Sequence, residues 1–85
     1  MGRREAAVEN YLIERIRALG GITRKLQYQG RTGAPDRLCI LPDGTVLFVE
    51  CKALGEKPRP DQVAEIETLC KYKQRALWIS TREQV

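Results

Sequence analysis

Histidine is absent from this chain of 85 residues. That absence removes imidazole acid–base catalysis, Ser-His-Asp triads and zinc sites built from Cys and His. Cysteine is scarce: Cys39, Cys51 and Cys70 stand far apart, form no Cys-x-x-Cys, and each falls in an apolar segment. An odd number of unpaired thiols predicts buried, free cysteines in a reducing, intracellular compartment. Any metal must then rely on oxygen ligands, which selects magnesium, manganese or calcium over zinc or copper. No apolar run approaches the roughly 20 residues of a membrane span, so no membrane partner is expected. Met1-Gly2-Arg3-Arg4 leads straight into a helical pattern and does not resemble a signal peptide. Repeats, low-complexity tracts and internal linkers are missing as well. Residues 1–85 therefore read as one domain with a modest core, and no small-molecule cofactor is expected.

What is present is a mild basic excess, 15 Lys and Arg against 11 Asp and Glu, for a net charge of +4. Such an excess permits a polyanionic partner without demanding one. The hydrophobic pattern predicts helix, three strands, helix, strand. Val8, Leu12, Ile16 and Leu19 form one stripe of a helix from about Arg4 to Leu19, which Gly20-Gly21 stops. Ile22 to Tyr28 reads as a strand, and Gln29 to Gly33 as a loop. Asp36 opens a strand through Leu41, and the Pro42-Asp43-Gly44 turn joins it in a hairpin to a strand over Thr45–Lys52. After a loop from Ala53 to Arg59, Pro60 fits the first position of a helix whose apolar stripe is Ile66, Leu69 and Cys70. Arg75 to Ser80 is the last strand; following a helical crossover, it should lie parallel to one of its predecessors.

The strand Val46-Leu47-Phe48-Val49 is apolar on both faces, reads as buried or nearly so, and ends in Glu50-Cys51-Lys52. Side chains alternate along a strand, so Glu50 and Lys52 share a face. A carboxylate and an ammonium there are costly unless they are paired or bind something. Asp36, placed after the Gly33-Ala34-Pro35 turn, offers a second acid from a neighbouring strand. This is the layout of a carboxylate-bound divalent metal beside a lysine, and it suits phosphodiester hydrolysis, where the metal supplies hydroxide and charge relief without histidine. At about 100° per residue, Glu5 falls within the first helix's apolar stripe and Glu9 at its edge. Glu5 has an ordinary explanation at a helix start, and Glu9 has less of one. Gln62 lies on the inward side of the second helix, where it caps a backbone group or holds a water or the lysine. Arg24, Lys25, Arg31, Arg37, Lys57 and Arg59 flank these segments and are natural phosphate contacts, and Tyr28 is placed to stack on a base or to pack. Singly, Glu50–Lys52 is an exposed ion pair, Asp36 a turn residue and Glu9 a solvated acid. Jointly, their convergence on one sheet edge favours a site.

Glu9, Gly33-Ala34-Pro35-Asp36-Arg37, Glu50-Cys51-Lys52 and Pro58-Arg59-Pro60-Asp61-Gln62 together resemble the VRR-NUC nuclease family, of the PD-(D/E)xK, restriction-endonuclease-like group. The resemblance runs from Glu5 to about Ser80. Cys51 stands where the family usually has valine; since it points away from Glu50 and Lys52, the departure leaves the site intact. The resemblance implies an α/β fold, a mixed sheet flanked by helices in the order αβββαβ. It implies Mg2+ or Mn2+ bound by Asp36, Glu50 and the Cys51 backbone carbonyl, with Glu9 contacting metal directly or through water. Lys52 would orient the attacking water and offset phosphorane charge, and Gln62 would support them. Stand-alone members resemble dimeric Holliday-junction resolvases in function, which implies branched DNA, a four-way junction above all, and a homodimer. Other expectations of the same fold are a flap or single-strand nuclease, or a non-catalytic nucleic-acid-binding module; the complete set of Asp36, Glu50 and Lys52 argues against the last. A sequence-specific restriction enzyme is disfavoured by a length that leaves little material for reading base edges.

Overall fold

The computed structural model describes residues 3–81; Met1 and Gly2, expected to lead straight into the first helix, and residues 82–85 lie outside the described residues. The elements are α1 (Arg3–Ala18), β1 (Ile22–Lys25), β2 (Arg37–Ile40), β3 (Val46–Cys51), α2 (Pro60–Lys71) and β4 (Arg75–Ile79). The expected order αβββαβ holds. The strands form one mixed sheet in the order β1-β2-β3-β4. β1, β2 and β3 pair antiparallel, and β4, returning through α2, lies parallel to β3 as a crossover requires.

α1 forms because Val8, Leu12 and Ile16 recur at fourfold spacing, with Glu5 in the first turn and Arg15 and Arg17 in the last, charges that suit the helix dipole. Its end is pressed against the sheet: a Cβ on Gly21 would lie 2.6 Å from the Ile40 carbonyl oxygen. Val8, Leu12 and Ile16 pack on Cys39, Val49, Cys51 and Ile79 to make the core. Each aliphatic side chain so buried contributes about 1.5–3 kcal/mol. The β2–β3 hairpin closes through Gly44 N–H to the Leu41 carbonyl, with Asp43 accepting from Thr45 N–H.

Several expectations are corrected. Leu19 does not join the α1 stripe; it lies beyond the helix end and is 55% exposed. Cys70 is exposed rather than buried. α2 turns Gln62, Glu65, Ile66 and Leu69 inward, and Cys70 sits about 100° round from Leu69. β1 stops at Lys25, short of Tyr28: its pairing with β2 ends at Lys25↔Arg37, followed by one last bond in the same register from Leu26 N–H to the Asp36 carbonyl. Asp36 therefore precedes β2 instead of opening it. β3 is fully buried only at its site end, Val49 to Cys51, while Val46, Leu47 and Phe48 are half-buried. A domain this small lacks material to cover both faces along their length.

Candidate active site

The site gathers where β3 ends. Alternation along that strand sends Cys51 to the α1 side, into the core, and Glu50 to the α2 side. Glu50 is 1% exposed, and its Oε2 lies 3.2 Å from Lys52 Nζ and 2.6 Å from Gln62 Nε2. Burial, and then the charge of Asp36, push the Glu50 carboxyl up to about 7, against the pull of Lys52. Asp36 Oδ2 accepts the Cys51 backbone N–H at 2.9 Å, which ties the acid before β2 to the last residue of β3. The Cys51 thiol is pushed well above its ordinary range, first by burial and then by the charges of Asp36, Glu9 and Glu50. Glu50 and Lys52 do share a face, as alternation predicts.

The helix acids differ from their wheel positions. Glu9, read at the stripe's edge, is 4% exposed, whereas Glu5, read within the stripe, is only half-buried. Glu9 Oε2 takes Arg37 Nε at 2.8 Å and Lys25 Nζ at 3.8 Å. Lys25 and Arg37 are register partners on one face of the sheet, and so both reach the same acid. Glu5 reaches Lys52 Nζ at 3.8 Å. Gln62 performs the capping role, its Oε1 accepting Arg59 N–H at 2.8 Å; its amide nitrogen holds Glu50 and not the lysine.

Among the described residues, two buried side-chain polar atoms have no hydrogen-bond partner: Glu9 Oε1 and Glu50 Oε1. A buried carboxylate oxygen without a donor is costly, and a bound cation would remove that cost. The donor set is all oxygen, which fits a hard divalent ion that keeps several waters. Among the described residues no three carboxylate or thiol side chains are gathered closely enough to hold a metal ion by themselves.

Of the residues expected at phosphates, Arg24, Lys25, Arg31, Lys57 and Arg59 are exposed, while the Arg37 side chain is 17% exposed and engaged by Glu9. Sequence reasoning missed Glu65. It is 7% exposed on α2 and accepts from Tyr28 Oη at 2.5 Å and Arg31 Nη2 at 3.3 Å. The signal that could have found it is its position three residues after Gln62, an acid on the inward face of a helix.

No protein-family model matches the chain. "Putative nuclease p44" of Acyrthosiphon pisum secondary endosymbiont phage 1 is 52% identical over 62 residues, spanning 73% of this chain and 67% of that protein. A solved structure described as "VRR_NUC domain" superposes with a TM-score of 0.91 at 43% identity, over 98% of this chain and 90% of its own.

Proposed function

Because the chain belongs to the VRR-NUC family of nucleases, we propose that it is a divalent-metal-dependent, structure-specific DNA endonuclease that resolves four-way junctions as a homodimer. The observation that carries the metal site is the meeting of Asp36, Glu50 and Lys52 at the end of β3, with Glu50 Oε1 and Glu9 Oε1 left without donors. Asp36, Glu50 and the Cys51 carbonyl would hold Mg2+ or Mn2+, with Glu9 contributing directly or through water. Bound there, the ion would supply hydroxide near neutral pH and relieve charge on the scissile phosphate. Lys52, 3.2 Å from Glu50, orients the attacking water and offsets the charge of the phosphorane. Gln62 fixes the Glu50 rotamer by bonding one of its oxygens. Arg24, Lys25, Arg31, Lys57 and Arg59 grip phosphates, with Arg37 behind Lys25 and Tyr28 beside Arg31. The free thiols fit a reducing, intracellular setting.

Resolving a junction takes two opposed cuts, and a two-fold dimer supplies paired sites. Support for a dimer comes from β4, an edge strand carrying Leu77 and Trp78 at 38% and 36% exposure. Beside it opens an apolar cavity of about 210 Å³, lined in part by Leu12, Leu19, Leu47, Leu77 and Ile79. Exposed apolar edges of this kind call for a partner.

A panel of labelled junctions, flaps, duplexes and single strands, with Mg2+, Mn2+ or chelator, tests the reading. Junction cleavage into symmetric nicked duplexes is expected with metal only, and Asp36→Asn or Glu50→Gln should reduce it by about 1,000-fold while DNA binding persists. A variant with near-wild-type cleavage would remove that ligand from the assignment, and cleavage of flaps or single strands alone would replace the resolvase reading. Light scattering at micromolar concentration should return twice the monomer mass; a monomer that resolves junctions symmetrically would overturn the dimer.

A further inference from the structure

We propose that Glu65 is a positioning residue: from α2 it holds the loop of residues 27–35, through Tyr28 and Arg31, and thereby fixes both a DNA-gripping surface and the seat of Asp36. The inference rests on the nuclease reading and adds a residue with its own role to it.

The loop is closed at its root by Leu26 N–H to the Asp36 carbonyl at 3.0 Å, so the candidate metal ligand is itself one end of the loop. Its C-terminal part lies hard against α2. Gly33 has φ +93°, and a Cβ there would stand 2.8 Å from the Asp61 carbonyl oxygen and 3.6 Å from Glu65 Cβ. Only glycine fits that approach and that dihedral. The loop's outer part is tied by Glu65, with Asp61 of the first turn of α2 bonded to Thr32 beside it. One Glu65 carboxylate oxygen takes the Tyr28 hydroxyl at 2.5 Å and the other the Arg31 guanidinium at 3.3 Å. Arg31 in turn lies 5.9 Å from the Tyr28 ring centroid, so the two residues brace each other.

Gln62, one helical turn earlier, bonds Glu50. One face of α2 thus reaches both acids of the site, Glu50 directly through Gln62 and Asp36 indirectly through Glu65 and the loop. Charge alone gives no reason for an acid at this place. On a surface that grips phosphates, a carboxylate beside Arg31 cancels a cation and weakens nonspecific attraction. Geometry does give a reason, because Glu65 supplies two acceptors where a loop needs two anchors. The two accounts predict opposite signs.

The test measures affinity for a fluorescein-labelled four-way junction in chelator at fixed salt, and kcat at saturating junction with Mg2+, well below each variant's melting temperature. Glu65→Ala should weaken binding about tenfold and lower kcat, even though it raises the net charge. Tyr28→Phe changes no charge and should weaken binding about threefold, and adding it to Glu65→Ala should bring no further loss, since both break one unit. If Glu65→Ala fails to fold by circular dichroism, Tyr28→Phe and Glu65→Gln, which keeps one acceptor, carry the same comparison. Tighter or unchanged binding and unchanged kcat in the folded variants, with only a lower melting temperature, would overturn the inference. Wild-type protein that binds no junction, or Asp36→Asn that cuts like wild type, would instead overturn the nuclease reading beneath it.

Discussion

The two helices are held to the sheet by different physics. α1 buries Val8, Leu12 and Ile16 against Cys39, Val49, Cys51 and Ile79, and the attraction there is apolar area removed from water. α2 half-buries Ile66 and Leu69, but its fully buried residues are Gln62 and Glu65, and what those two touch is polar: the Glu50 carboxylate, the Tyr28 hydroxyl and the Arg31 guanidinium. Net hydrogen-bond stabilisation is small, about 1 kcal/mol each, but its geometry is demanding. α1 therefore makes the fold, and α2 aligns the site. Glu9 is the exception on α1, a buried acid one residue from Val8, and it is the point at which the apolar helix also serves the site.

Deleting apolar contacts on α1 breaks the comparison hardest. Leu12→Ala should lower stability by about 2–5 kcal/mol in urea unfolding, a shift of at least tenfold in the folding equilibrium, because Leu12 is 4% exposed and packed in the core. The fraction that remains folded should cut DNA at the wild-type rate. Gln62→Met, of similar volume, should do the reverse. It removes the donor to Glu50 and the acceptor of Arg59 N–H, so cleavage should fall about 10- to 100-fold, as for groups that orient metal ligands, with a stability change within about 1–2 kcal/mol. If Gln62→Met unfolds as readily as Leu12→Ala, the two helices do not divide the work as described.

The legible part of this molecule is the part governed by strict local periods. The alternation of a strand put Glu50 and Lys52 on one face, the Pro42-Asp43-Gly44 turn forced an antiparallel hairpin, and a strand after a helix had to run parallel. Each is met in the structure. Gln62 was legible as an inward polar residue, though its bond to Glu50 depends on how α2 docks on the sheet, which no local pattern carries. Cys70 and Leu19 were misread because an apolar residue near a helix end counts as stripe in sequence, while a few tens of degrees or one residue past the end put it in water. The loop and the inward place of Glu65 leave a trace in the sequence, but the bonds from Glu65 to Tyr28 and Arg31 were not legible. These bonds join positions 34 to 37 residues apart in a segment without repeating structure.

The smallest expected effect concerns the two acids of α1, where a helical wheel and the structure rank burial in opposite order. Glu9→Gln should cost about tenfold more cleavage activity than Glu5→Gln, within the range seen when a ligand or its support is altered. Glu9 is buried with Oε1 lacking a donor, and its other oxygen neutralises Arg37. Glutamine keeps the shape and one acceptor but removes the charge that pairs with Arg37 and that the proposed metal would use. Glu5 is half-buried at the helix start and meets Lys52 only at 3.8 Å, a separation at which a partly solvated ion pair contributes about 0–1 kcal/mol. Its loss also leaves Lys52 the nearer partner Glu50 at 3.2 Å. Melting curves of both variants separate a loss of chemistry from a loss of fold, since unpairing Arg37 also costs stability. Equal activities would make Glu9 a structural counter-ion for Arg37 and Lys25, and a larger loss at Glu5 would move the helix-borne acid of the site one turn toward the N-terminus.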